Sequence, residues 1–491
     1  MHASSGPASR GAVEVDRVDG YLIFLFALLS TATLFDGFDA AMLTVAAPDT
    51  RKTLGISLAE WGVIFGVTRL GMVASFFFLF FADRWGRRTL MMLTIIGFAV
   101  FNSLTAFSVS KVDFTIYQFF ARVFLTAEYS LAIIVVGEEF PARLRGRAIA
   151  VLTSFATVGV MVIALLHPHI LLEECAAGSA AAGDCVAPEG NWLRDTGQTV
   201  VAGVQRFFGL PVDGANWRVL YVLGVIPLGL VFFLRFGMRE TRRFVAEQGT
   251  TGRLRRGVRE TLRAEYEHAK TPWRPEYRRR TLLVTLLWNC VHLVTAPAVA
   301  FWVIYVREEL GFSPAVVGPI IFWGYVGGIA GHFVAGYLID RIGRKATCAG
   351  FYAGAAVAIF MLFQARTEAA QYFWMILTVF GFASANTATH VYASELFPTA
   401  IRATGYGWTT NLFGRLSEVG TPFVISAFIS SLGISGAVAV TAVGPVLGAL
   451  LVMRYAPETK GLTLEEVQHA MRGEGGQDGA TVPARTVSRA D

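Results

Sequence analysis

The chain is a series of long, nearly unbroken apolar runs separated by short polar stretches. Twelve runs reach bilayer length, near residues 22–49, 59–81, 89–108, 112–137, 148–171, 217–236, 281–306, 314–339, 346–365, 370–393, 404–432 and 434–454. A helix crossing the hydrocarbon core needs about 20 mostly apolar residues. The runs do not alternate in polarity, which excludes barrel strands. The predicted fold is an all-α integral membrane protein with twelve transmembrane helices. Polar segments divide it into a tail (1–21), six helices (22–236) with a long outer loop at about 172–216, a linker (237–280), six further helices (281–455) and a second tail (456–491).

Charge gives this pattern a direction. Of 42 Lys and Arg, thirty fall in the segments on one side of the spans, eight on the other and four inside spans. The basic side is expected to be cytoplasmic, with both termini there, in the cell membrane. The first residues, including Arg10, Glu14 and Asp16, lack the apolar stretch of a cleavable signal and read as a cytoplasmic tail. The linker is the most basic segment, and its run from Arg253 to Lys270 is expected to lie as a helix on the lipid surface, not on nucleic acid. Composition agrees: 54% of residues are hydrophobic and 16% charged, against about 25% charged in soluble domains. That excludes an ordinary soluble enzyme. Four Cys form no disulfide framework, but Cys175 and Cys185 in the outer loop are a disulfide candidate.

An internal repeat carries the most information. Asp83-Arg84-Trp85-Gly86-Arg87-Arg88 follows the second run, and Asp340-Arg341-Ile342-Gly343-Arg344-Lys345 follows the eighth. Glu139-Phe140-Pro141 follows the fourth, and Glu395-Leu396-Phe397-Pro398 the tenth. Both motifs, and the pair Arg145 and Arg402, recur in one register. The chain is thus two pseudo-symmetric, parallel halves of six helices. These motifs resemble those of the major facilitator superfamily over nearly the whole chain. The resemblance implies that Asp83, Gly86, Arg87, Arg88, Glu139, Arg145, Asp340, Gly343, Arg344, Glu395 and Arg402 latch the two halves in one state.

Further motifs resemble particular branches. Pro457-Glu458-Thr459-Lys460-Gly461 is similar to the terminal motif of the group holding sugar porters, organic-ion carriers and metabolite:proton symporters. Arg239-Glu240-Thr241 is a reduced form of its mid-chain motif. Asp36-Gly37-Phe38-Asp39, followed by Pro48, and Gly414-Arg415-Leu416 resemble the aromatic acid:proton symporters. Thr126-Ala127-Glu128-Tyr129 departs from them, where that family is glycine-rich. The seventh run lacks the paired Gln of sugar porters.

Ionisable side chains at bilayer depth are costly, so each is a functional candidate. Ten stand out: Asp36, Asp39, Arg69, Arg122, Glu128, His292, His332, His390, Arg415 and Glu418. Asp36 and Asp39 share a helix face, an arrangement that suits a proton-coupling carboxylate. Glu128 and His292 are further proton-coupling candidates. Arg122 is the first choice to hold a substrate carboxylate, with Trp288, Asn289, Asn386, His390 and Arg415 as further substrate-binding candidates. Arg415 and Glu418, three apart, can also neutralise each other. Trp302 and Tyr305, near a helix end, read as an interface belt. No metal or nucleotide motif is present, so no cofactor is expected. The expected function is proton-driven symport of a small organic acid, an aromatic carboxylate above all, by a monomer that partners only solute, protons and lipid. A sugar or organic-cation carrier or exporter, and a non-transporting sensor, are the alternatives.

Overall fold

The computed structural model describes residues 19–79, 87–140, 142–171, 192–212, 216–224, 229, 236–240, 266–267, 270–397 and 401–460. Among these residues there is no strand. The helices of the first half are α1 (Gly20–Val45), α2 (Ala47–Leu54), α3 (Leu58–Leu79), α4 (Arg87–Ala106), α5 (Lys111–Glu139), α6 (Ala142–Leu171) and α7 (Trp192–Phe207). Those of the second are α8 (Pro275–Ile304), α9 (Pro314–Ile342), α10 (Arg344–Leu362), α11 (Glu368–Glu395), α12 (Arg402–Tyr406), α13 (Leu416–Ala439) and α14 (Val443–Tyr455). Seven described runs are long and apolar enough to cross a bilayer; α2 and α3, bent by 114°, form an eighth if taken as one span. The helices α8 and α11 are equally long, 30 and 28 residues, but carry the polar stretches around Asn289 and Asn386.

The repeat is visible in the helix starts. Ser110 caps α5 in a reciprocal box with Asp113, and Thr367 caps α11 by accepting from Ala370 N. These two caps share the register of Arg87 at the start of α4 and Arg344 at the start of α10.

Three expectations are corrected, and the outer loop, for which no secondary structure was expected or excluded, gains a helix. The first run is not one helix: it turns at Ala46, and Pro48, which has no N–H to donate, opens the separate α2. The outer loop contains the helix α7. The eleventh run is interrupted by a π turn over Gly407–Leu412 and a 3-10 turn over Phe413–Arg415 before α13 resumes. Trp302 and Tyr305 are no belt: both are fully buried, the indole donating to Gln371 at 2.8 Å and the phenol to the Ala365 carbonyl at 3.2 Å. The division after residue 432 holds, because the chain turns at Gly433, φ 67°. Asp83, Gly86, Cys175, Cys185, most of the basic linker, and the side chains of Arg145 and Arg402 lie outside the described residues.

Apolar packing treats the two faces of the membrane differently. Towards one face a single cluster joins both halves, with Met42, Trp61 and Ile163 against Phe301, Ile320 and Ile425. Towards the face bearing the repeated motifs there are two clusters, one within each half. Among the described residues the halves therefore share an apolar cluster at one face and have separate clusters at the other. Helix α3 packs along α13 and α6 along α9 at the seal. Two crossed ion pairs close its rim: Arg51 with Glu308, and Arg307 with Asp49 at 2.5 Å. Arg51 and Glu308 are 257 residues apart, the register of the repeat, so equivalent positions meet across the pseudo-two-fold axis.

On the motif face the described contacts run inside each half. Gly343 (φ 117°) makes the turn from α9 into α10; a Cβ there would lie 2.8 Å from a Glu458 carboxylate oxygen. Glu458 accepts the amides of Arg344 at 2.9 Å and Lys345 at 3.0 Å, placing a negative charge at the positive end of α10. The Arg344 guanidinium binds Glu395 at 2.9 Å and Asp340 at 3.4 Å, and Thr459 donates to Glu395 at 2.5 Å. In the other half Glu240 accepts the amides of Arg87 at 2.8 Å and Arg88 at 3.3 Å. The mid-chain and terminal motifs thus do the same work, each capping a helix of its own half. Glu139 is buried at the end of α5. Asp83, Gly86 and the side chains of Arg145 and Arg402 lie outside the described residues, so these contacts cover only part of the cluster expected to latch the halves in one state.

Two outcomes follow. Burial opposes ionisation of Glu458, but the amides of Arg344, Lys345, Lys460 and Thr459 outweigh it and hold its carboxyl below the usual range. A depressed folded value contributes stability above the unfolded pKa and loses it as pH falls through the folded one. Thermal melts from about pH 6 to about pH 4 should therefore show wild type above Glu458→Gln at the upper end and the two converging at the lower. At the seal, Arg51→Glu or Glu308→Arg alone should lower Tm by about 2 °C, and the two together should restore it.

Candidate functional site

A layer of charge crosses the middle of the bundle. From α1, Asp39 is 3% exposed and meets Arg122 of α5 at 3.8 Å. One turn earlier, Asp36 is also buried and within electrostatic reach of Tyr129. Gly37 between them lies against α6, where a Cβ would fall 1.8 Å from the Ala156 carbonyl oxygen. Arg69 of α3, with its guanidinium 4.8 Å from the Phe65 ring centre, is ion-paired with Glu418 of α13. Glu418 is shared, since Arg415 of its own helix binds its second oxygen at 3.0 Å. Arg122 lies within reach of both Arg69 and Glu418. The layer holds Arg69, Arg122 and Arg415 against Asp36, Asp39 and Glu418, and Arg69 to Glu418 is its tie between the halves.

Such a layer survives only because its charges are matched. A buried pair is a poor source of net stability, but removing one partner strands the other in low dielectric and costs about 3–5 kcal/mol. The sequence placed Arg415 and Glu418 together and offered Arg69 only as a second choice, after Arg122, to hold a substrate carboxylate. The partner of Arg69 lies 349 residues away, beyond the reach of any local spacing.

Aromatic side chains adjoin this layer in the second half. The Trp288 ring is 1% exposed, stacked on His292 at 5.3 Å and edge-on to His390 at 4.6 Å. His390 stacks on Tyr406 at 5.8 Å and is hydrogen-bonded to its hydroxyl. Tyr406 is within electrostatic reach of Tyr129 in the other half and of Arg415. Asn386 is half-buried one turn before His390 on α11. The Trp288 Nε1 is buried and has no hydrogen-bond partner among the described residues. Tyr129, quoted only as part of a departing motif, and Tyr406 were not read as site residues in the sequence, because hydropathy does not separate a phenol facing the interior from one facing lipid.

Other candidates stand elsewhere. Glu128 accepts from Thr94 of α4 at 2.5 Å, a contact within the first half. His332 is bonded to Thr387 at 2.7 Å between α9 and α11. Asn289 and His292 bind the backbone of the interrupted helix. Among the described residues no group of three or more His, Cys, Asp or Glu could hold a metal.

Two six-helix halves, sealed at one face and joined at mid-depth by charge, are the architecture of a membrane transporter. Comparison with known families agrees. The sugar (and other) transporter family matches residues 191–471 and the major facilitator superfamily residues 29–174. The chain belongs to the sugar (and other) transporter family of the major facilitator superfamily, a family of transporters and not of enzymes. It is 22% identical to the niacin transporter NiaP of Acinetobacter baylyi, over 88% of this chain and 93% of that protein. It is 25% identical to the cis,cis-muconate transport protein of the same organism, over 84% of this chain and 89% of that one. Among solved structures, the inward-open xylose transporter XylE of E. coli superposes with a TM-score of 0.68 at 18% identity, over 91% of this chain and 99% of that one. That likeness speaks for the fold alone.

Proposed function

We propose that this transporter is a proton-coupled symporter of a small planar carboxylate, an aromatic acid above all. It works as a monomer by alternating access in the cytoplasmic membrane, with both termini inside and no cofactor. The observation that carries the reading is the mid-membrane layer of three arginines and three carboxylates. Fully ionised, that layer is balanced. A proton on Asp36 or Asp39 leaves one positive charge in excess, and a monocarboxylate restores balance. Proton and anion then cross together without an uncompensated charge in low dielectric.

Arg122, released when Asp39 is protonated, offers its planar fork to the carboxylate. Trp288, His390, Tyr406 and Asn386 provide rings and an amide for the planar body, and Trp288 Nε1 is a donor awaiting an acceptor. The relatives support a planar carboxylate: niacin, a carboxylated aromatic ring, fits the one-proton balance, and muconate, a planar diacid, would need a second proton. The sidedness rests on the basic segments, which make the motif face cytoplasmic and the sealed face external. Each proton crossing one pH unit supplies about 1.4 kcal/mol, enough for roughly tenfold accumulation.

The test is uptake into proteoliposomes under an inward proton gradient, comparing labelled hydroxybenzoate, a hexose and an organic cation. Hydroxybenzoate alone should accumulate. Arg122→Ala should abolish its uptake. Asp39→Asn should remove the response to the gradient. Accumulation of the hexose or the cation instead would overturn the reading.

A further inference from the structure

The interruption before α13 lies inside the eleventh apolar run, where a freed carbonyl or amide has to find its partner within the protein or in a water-filled cavity. A π turn takes one residue more than an α turn, about 100° of rotation, and the 3-10 turn after it is tighter. Together they re-index the helix just ahead of Arg415 and Glu418. In an unbroken α-helix the Ser417 amide would donate to the Phe413 carbonyl, and the Glu418 amide to the Gly414 carbonyl.

Side chains of α8 stand in that ladder. Asn289 Nδ2 donates to the Phe413 carbonyl at 2.8 Å, and Asn289 Oδ1 accepts from the Ser417 amide at 2.8 Å. The amide is thus inserted between the two groups that a continuous helix would join directly. One turn on, His292 Nδ1 lies 2.7 Å from the Gly414 carbonyl oxygen; the carbonyl can only accept, so that nitrogen carries the proton. Gly414 makes the approach possible, since a Cβ there would sit 2.1 Å from the Thr409 carbonyl oxygen and 2.8 Å from Trp288 Cβ. On the other side Phe413 packs on Trp408 and Trp273, each at 5.3 Å.

A primary amide has two donor hydrogens and room for two acceptor contacts. Asn289 uses all four: its second hydrogen goes to the Thr285 carbonyl at 2.8 Å, and its oxygen also accepts from the Ser417 hydroxyl at 2.6 Å. Nothing is left for a solute. We propose that Asn289 and His292 are positioning residues: inserted into the broken backbone of the eleventh span, they set the bearing of Arg415 and Glu418 and tie α8 to the charged layer. Movement of α8 then moves Arg415 and Glu418 with it, and through Glu418 it reaches Arg69 in the other half.

Hydrogen exchange and transport test this together. In purified full-length protein, Asn289→Leu should speed amide exchange in the peptide spanning residues 413–418 by about tenfold or more, the rest of the chain holding its wild-type rates. Asn289→Asp keeps the acceptor facing Ser417 and should exchange at an intermediate rate. In proteoliposomes taking up labelled hydroxybenzoate, Asn289→Leu should raise KM about tenfold with little change in maximal rate. Combined with Arg415→Ala it should add nothing beyond Arg415→Ala alone, because it acts through that residue. Unchanged exchange with lost uptake would make Asn289 a solute contact and overturn the proposal, as would additive effects in the double variant. If Asn289→Leu does not fold, Asn289→Asp carries both arms. The transport arm rests on the carboxylate reading above. The exchange arm does not: wild type that moves no hydroxybenzoate sinks that reading and leaves exchange to judge this one.

Discussion

Every charge held at mid-membrane must find its opposite, and the fold is arranged around that requirement. Glu418 is the clearest instance. It serves Arg415 of its own helix and Arg69 of the other half, so one carboxylate neutralises part of both halves and joins them. A rearrangement that parts the halves at this depth has to supply Arg69 with another anion. On the proposed reading, that requirement links the charge of the solute to motion of the bundle without a dedicated lever.

The apolar core divides the labour. One cluster spans both halves near the sealed face, and two clusters lie apart near the other. Each half keeps its own rigid interior on the motif face, reinforced by Glu240 on α4 and by Glu458 and Glu395 on α10. Rigid halves with a movable seam transmit a small local change as a rotation of the whole, because packed interiors resist continuous deformation. The carboxylate caps on the motif face thus stiffen the moving bodies.

Much of this was legible in the sequence, for physical reasons that can be named. Span positions follow from the length and continuity of the apolar runs, and the register of the repeat follows from turn residues such as Gly343 that the backbone demands. The interruption of the eleventh span was hidden, because a π turn and a 3-10 turn leave hydropathy unchanged. The contacts of Asn289 with the Phe413 carbonyl and the Ser417 amide were hidden for the same reason, since the broken ladder has no trace in composition. Trp302 and Tyr305 were misplaced because aromatic residues near a span end look alike whether they face lipid or a core. Glu128 and Arg122 stand six apart on one helix, yet one turns into its own half and the other towards the charged layer. Only packing separates such cases.

The crossed pairs at the sealed rim bear on how this chain came to be one polypeptide. In a dimer of two identical six-helix subunits, a residue on the two-fold axis faces its own copy, and a charge there meets the same charge. Arg51 and Glu308 occupy equivalent positions in the repeat and meet with opposite signs. That attraction is open only to two halves free to diverge from each other. Carrying both halves on one chain thus does more than fix stoichiometry: it allows symmetry to be broken at the axis, where an identical pair would repel.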